Sequence, residues 1–177
     1  MIEFIKIVLF SVASAICYGI LHDQVTAHLA VEYFTLAHPP VFRTQSPFLL
    51  AIGWGILATW WVGLPLATIL GVVARSGRRR KLALSDVRPW ILYLLGFMAF
   101  CALGAGIVGA TLFTTGIIPV PGGWGSVLPI EKHAAFTAAA WAHRASYLSG
   151  MLGGLFVIAY AFRKRLKSSR ARHYPSG

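Results

Sequence analysis

Apolar positions run almost unbroken through four stretches of the chain, residues 2–21, 48–74, 90–115 and 134–162. A helix rises about 1.5 Å per residue and the hydrocarbon core of a bilayer is about 30 Å thick, so about 20 such residues suffice to cross it. Backbone groups in lipid must be paired internally, and runs this long are helices rather than the short alternating strands of a membrane barrel. The pattern predicts an all-α transmembrane four-helix bundle forming one domain over residues 1–177. Between the first two runs the pattern changes. Val25, Leu29, Tyr33 and Leu36 make an apolar stripe opposite Gln24, His28, Glu32 and Thr35, which predicts a short amphipathic helix. It either continues the first span or lies at the interface, and Pro39-Pro40 ends it. Residues 116–129, with PVPGGWG at their centre, form an irregular loop.

Composition agrees with lipid as the main solvent: 57% of residues are hydrophobic and 12% charged, where a soluble domain carries roughly a quarter charged. The net charge of +11 raises nucleic acid as a partner until its distribution is considered. Twelve of the sixteen basic residues fall in two clusters. The first comprises Arg75, Arg78, Arg79, Arg80, Lys81 and Arg88; the second Arg163, Lys164, Arg165, Lys167, Arg170 and Arg172. Both abut the ends of apolar runs, the positive-inside arrangement of cytoplasmic loops. Their expected partner is anionic lipid, not nucleic acid. Alternation then puts both termini in the cytoplasm and the loops at 22–47 and 116–133 on the extracytoplasmic side. Ala13-Ser14-Ala15 has the form of a signal-peptidase site, but the apolar run continues past it to Leu21 and the preceding charges are few, so the first span is expected to be retained.

Several local patterns have packing explanations. Gly55, Thr59, Gly63, Ala67 and Gly71 recur every four residues, a ridge of small side chains along which another helix can approach closely. Ala102, Gly106 and Ala110 make a second ridge, and the G-x-G-x-x-G at Gly104, Gly106 and Gly109 lies mid-span without the strand a dinucleotide site requires. Cys17 and Cys101 lack motif spacing, which excludes a paired-thiol oxidoreductase, and are expected to be small buried hydrophobes. Trp54, Trp60 and Trp61 suit either an aromatic belt or a stacking wall.

What the packing patterns leave over is the distribution of ionisable groups. His22, Asp23, His28, Glu32, His38, Glu131, His133 and His143 all fall in the extracytoplasmic half, leaving only Glu3, Asp86 and His173 for the other side. Ionisable groups near a bilayer are costly and mark functional sites. Imidazole and carboxylate together are ligands for zinc, iron or copper. The candidate metal ligands are His22, Asp23, Glu32, His38, His133 and His143, with Tyr18, Tyr33, Arg144 and Ser146 as candidate ligand-binding groups. Ser11, Ser14, Tyr18 and His22 share one face of the first helix, which therefore turns inward. His28 sits on the polar face and is expected to be solvated. No H-E-x-x-H or Cys/His cluster specifies a metal by spacing.

H-D-Q at 22–24 with Thr26, E-Y-F-T at 32–35 and H-P at 38–39, followed by a helix rich in glycine and tryptophan, resembles an uncharacterised family of small four-helix bacterial inner-membrane proteins. Trp141, His143, Ser146, Tyr147, Gly150, Gly153 and Gly154 are similar to its last helix. The resemblance covers nearly the whole chain and implies a bacterial inner membrane. It favours His22, Asp23, Glu32, His38 and His143 over His28, and supplies no activity.

Three functions fit the residues. One is a transition-metal site open to the extracytoplasmic side, with hydrolysis as the natural chemistry if catalytic and haem between two histidines as a variant. Another is a metal-free small-ligand binding or carrier protein using Arg43, Lys132 and Arg144 for positive charge. The last is a scaffold or subunit, self-associating or packed against a partner membrane protein.

Overall fold

The structure, a computed structural model, describes residues 1–173, with side chains described through Lys167; Arg170, Arg172 and His173 therefore lie outside the described side chains. It is all-α, with no strand among the described residues. Helix α1 spans Ile2–Leu29, α2 Glu32–Thr35, α3 Pro47–Arg75, α4 Leu84–Thr114 and α5 His133–His173, with short 3-10 turns at Pro121–Ser126 and Ile130–Lys132. Four helices are long and apolar enough to cross a membrane.

Helix boundaries follow local chemistry. Nothing between Leu21 and Leu29 breaks a helix, so α1 absorbs the first half of the expected amphipathic helix and stops only at the extended Ala30 (φ −149°). The helix after the first span is consequently a single turn. Ser46 caps α3, its hydroxyl accepting from the Leu49 N–H at 3.5 Å, and Pro47 follows at the first helical position. Helix α3 is continuous through Pro65. Helix α4 starts six residues before the expected 90 because the Asp86 carboxylate accepts the Ala83 N–H at 3.0 Å. Helix α5 runs through the basic tail, since Lys and Arg are good helix formers.

The spans pack as two tight hairpins, α1 against α3 and α4 against α5, with fewer contacts between hairpins. The small-residue ridge of α3 faces α1. A Cβ on Gly55 would lie 2.5 Å from the Ile20 nitrogen, one on Gly19 2.6 Å from the Gly55 carbonyl, and one on Gly71 2.8 Å from the Phe4 ring. Gly106 and Gly109 lie against Ala138 and Trp141 of α5, so the α4 ridge serves the second hairpin. Cys101 is half-buried and Cys17 faces outward, a departure from its expected burial: with lipid as solvent, a small hydrophobe is as stable on the outer face.

At the basic end, Arg165 is 5% exposed. Its guanidinium donates to the Val73 and Ser76 carbonyls at the C-terminus of α3 and, at 2.7 Å, to the Arg80 carbonyl. These include acceptors left over by the helix end. Nearby, Lys164 pairs with Asp86 at 2.8 Å, and Glu3 accepts the Leu84 N–H at 3.0 Å, tying α1, α4 and α5 together. Arg165→Ala should lower stability by about 3 kcal/mol, because several buried carbonyls lose their donor, and Arg165→Lys should restore only part of this. Thermal unfolding in detergent reads the difference; an unchanged midpoint in the alanine variant would show the fork to be dispensable.

Candidate functional site

The opposite end of the bundle holds His22, Asp23, Glu32, His38, His133 and His143. Helix α1 carries Tyr18 and His22 on its inward face, and α5 meets that face one turn at a time. Tyr18 Oη lies 2.9 Å from Ser146 Oγ, and His22 Nε2 lies 3.3 Å from His143 Nδ1. His143 Nε2 in turn lies 3.1 Å from Asp23 Oδ1, with both side chains only 7% exposed. His22, Asp23 and His143 each offer a ligand atom within 4.8 Å of the others.

The hydrogen-bond partners constrain the protons. The Ala139 carbonyl, 3.1 Å from His143 Nδ1, can only accept. Nδ1 therefore carries a hydrogen, and His22 Nε2 lies 3.3 Å from it. Nε2 of His143 then shares one proton with the Asp23 carboxylate. A cation can replace that proton, and a backbone carbonyl fixing the remote nitrogen is the usual way a ligating imidazole is oriented. For ligands about 2.0 Å from a tetrahedral ion, neighbouring ligand atoms are about 3.3 Å apart, close to the 3.1 Å between His143 and Asp23.

Rings enclose the cluster. Tyr33 lies between His143 and His38, with centroids 4.4 and 4.9 Å away, and Phe34 is 6.0 Å from His143. Trp54 of α3 closes this wall, 4.8 Å from the His38 ring. Of the three tryptophans, Trp54 is the stacking wall, while Trp60 and Trp61 face outward as a belt would. Burial pushes the Tyr33 phenol up to about 12, with Tyr147 and Asp23 adding to the shift, so it remains a donor.

The remaining candidates take other partners. His38 Nδ1 donates to the Tyr33 carbonyl at 2.7 Å, which leaves Nε2 with its lone pair, but the residue falls outside the convergent group. Glu32 pairs with Lys132 at 3.6 Å and keeps one buried oxygen without a partner. It ties α2 to the loop before α5 instead of reaching the cluster. His133 Nε2 donates to the Leu128 carbonyl at 3.0 Å and closes that same loop. His28 is exposed, donating to the Gln24 carbonyl at 2.8 Å. Arg43 and Arg144 are exposed and Lys132 is engaged with Glu32, so the cations assigned to a carrier site do not converge on the cluster.

Two groups escaped the sequence reading. Phe34 belonged to neither face of the expected amphipathic helix, which is divided between α1 and α2. The Ala139 carbonyl has no side-chain signal, although His143 four residues later is the spacing at which a side chain reaches back to it.

Burial lowers the pKa of His38, opposed by its carbonyl bond and reinforced by His143. A depressed folded value means that the unfolded chain takes up the proton first. The stability His38 contributes is thus complete above about pH 6.5 and is lost as pH falls through the lowered folded value. His38→Gln is expected to flatten the fall in unfolding temperature below about pH 6.5; an identical pH profile in the variant would contradict this.

No protein-family model, curated protein or solved structure matches the chain.

Proposed function

We propose that the protein is a multi-pass membrane protein of the bacterial inner membrane that holds a transition-metal ion between His22, Asp23 and His143 on the extracytoplasmic side. One observation carries this reading: ligand atoms from residues more than 100 positions apart converge within 4.8 Å in a buried pocket. Two histidines and one carboxylate are a ligand set of hydrolytic zinc sites, in which a fourth position stays open. Zinc is accordingly the first candidate, ahead of iron and copper. A haem is disfavoured because the convergent set holds a carboxylate, Asp23, beside the two imidazoles, which suits a single ion better than two-histidine ligation of a macrocycle.

Such an ion supplies Lewis acidity and acidifies a water molecule. The chain's own groups do the rest. Asp23 and His143 would give up their shared proton to the cation, the Ala139 carbonyl holds the His143 ring, and the Tyr18 and Ser146 hydroxyls, 2.9 Å apart, would offer a donor to a ligand beside them. Orientation rests on the basic clusters, which gather at the other end and face anionic lipid in the cytoplasmic leaflet.

Titration of chelator-stripped protein with zinc against a competing chromophoric chelator tests the reading. One site per chain is expected. A titration indistinguishable from buffer, for zinc, iron and copper alike, would sink it.

A further inference from the structure

Below the cluster, the seam between the two hairpins does not close. A cavity runs down it, lined by all four spans, from His22, Asp23 and His143 to Leu70, Ile91 and Val157. From His143 to Val157 is fourteen residues of α5, about 21 Å, more than the roughly 15 Å of one leaflet's hydrocarbon. The volume of the cavity is about 140 Å³. A cavity of that volume along that length is a narrow slot, suited to one hydrocarbon chain and not two. Leu70, Ile91 and Val157 close its lower end as part of the buried cluster near the basic loops.

The slot's polarity is graded. Along the slot the Ser11 hydroxyl donates to the Ile7 carbonyl at 2.7 Å and the Thr59 hydroxyl to the Gly55 carbonyl at 2.6 Å. Both hydroxyls are satisfied inside their own helices, so a ligand there meets hydrocarbon. Unsatisfied capacity is confined to the top, at Tyr18, Ser146 and the cluster. Tyr147 and Met151 line the slot and are also 48% and 47% exposed, so it opens sideways to the bilayer. Its walls yield, since the ends of Met98 and Leu66 lie over Gly150 and Gly154.

We infer that the slot houses the single acyl chain of a membrane lipid, with the lipid's oxygen-bearing head against His22, Asp23 and His143. An apolar tunnel with a lateral mouth and one polar end is complementary to a molecule with one polar end. The placement of the head rests on the metal reading above; the seat of the chain does not.

Palmitic acid carrying a diazirine near its chain end, photolysed with the purified protein and mapped by peptide mass spectrometry, tests the inference. Label is expected on Leu66, Leu94 or Met98, and excess unlabelled palmitate or monopalmitoylglycerol should compete it away. Label confined to outward residues such as Phe100, Leu103 and Phe156 would overturn the slot. Stronger competition by a branched prenyl alcohol would overturn the acyl assignment. Ala58→Phe, which fills the slot, should reduce slot labelling by about tenfold, whereas Leu66→Ala, which widens it, should retain labelling at Leu94 or Met98. Slot labelling in a protein that binds no metal would leave the chain's seat standing and sink the metal reading; metal binding without slot labelling would do the reverse.

Discussion

Asp23→Ala is expected to weaken zinc binding by at least about 100-fold, the upper range for losing a mere orienting group. It should also destabilise the metal-free protein by about 3 kcal/mol. The second effect arises because removing one partner of a buried pair strands the other, and among the described residues His143 Nε2 meets Asp23, 3.1 Å away. Asp23→Asn should lose the metal with a smaller stability change, since an amide still meets the imidazole. Glu32→Ala provides the contrast. It breaks the 3.6 Å contact with Lys132 and should leave metal affinity unchanged, because Glu32 is outside the convergent group. Measuring affinity and unfolding temperature on all three variants separates a ligand from a structural acid. Equal metal affinity in the wild type and Asp23→Ala would remove Asp23 from the site.

The other large effect is expected at the α1/α3 seam. Gly55→Leu forces a side chain into a space where even a Cβ would lie 2.5 Å from the Ile20 nitrogen. The obstacle is backbone, not the tip of a flexible chain, so relief requires the helices to separate. Overpacking costs about 1–3 kcal/mol where side chains can adjust, and here the upper end or more is expected. Because α1 carries His22 and Asp23, the same variant should lose metal along with stability. Gly104 is the control. Nothing lies within 4 Å of a Cβ there, and Gly104→Ala should be neutral or stabilising by up to about 1 kcal/mol. Equal unfolding temperatures for the two variants would show that the ridge does not set the hairpin.

Much of the architecture was legible because lipid imposes a crude code. Long uncharged runs must be helices, small residues every four positions mark where helices touch, and both features are visible in one dimension. The limits of that code appear at particular residues. α1 continues to Leu29 because no glycine or proline interrupts it, and hydropathy falls before the helix does. Trp54 and Trp61 lie seven residues apart, on nearly the same face of α3, yet only Trp54 is enclosed. Phe34, His38 and Phe42 cover the outer end of that helix, while Trp61 is left 59% exposed, a difference no local pattern records.

The candidate site shows the same division. Sequence pointed to an extracytoplasmic group of histidines and acids that included His133 and His143 near the start of the last span. It had no means of separating Asp23 from Glu32, or His143 from His133, since the chemistry of each pair is alike. What separates them is direction. Asp23 and His143 sit on long helices whose contact faces meet, whereas Glu32 and His133 sit at a one-turn helix and a helix start, where loop partners capture them. The slot was invisible for a related reason, being the place where two hairpins fail to close.

X-ray absorption at the zinc edge of repleted, detergent-purified protein is the most direct test of the central claim. The account predicts one zinc per chain in a shell of nitrogen and oxygen at about 2.0–2.1 Å, with multiple-scattering features of two imidazoles. Those features should fall to one imidazole or vanish in His143→Ala. A spectrum showing only oxygen ligands, or one unchanged by His143→Ala, would contradict it.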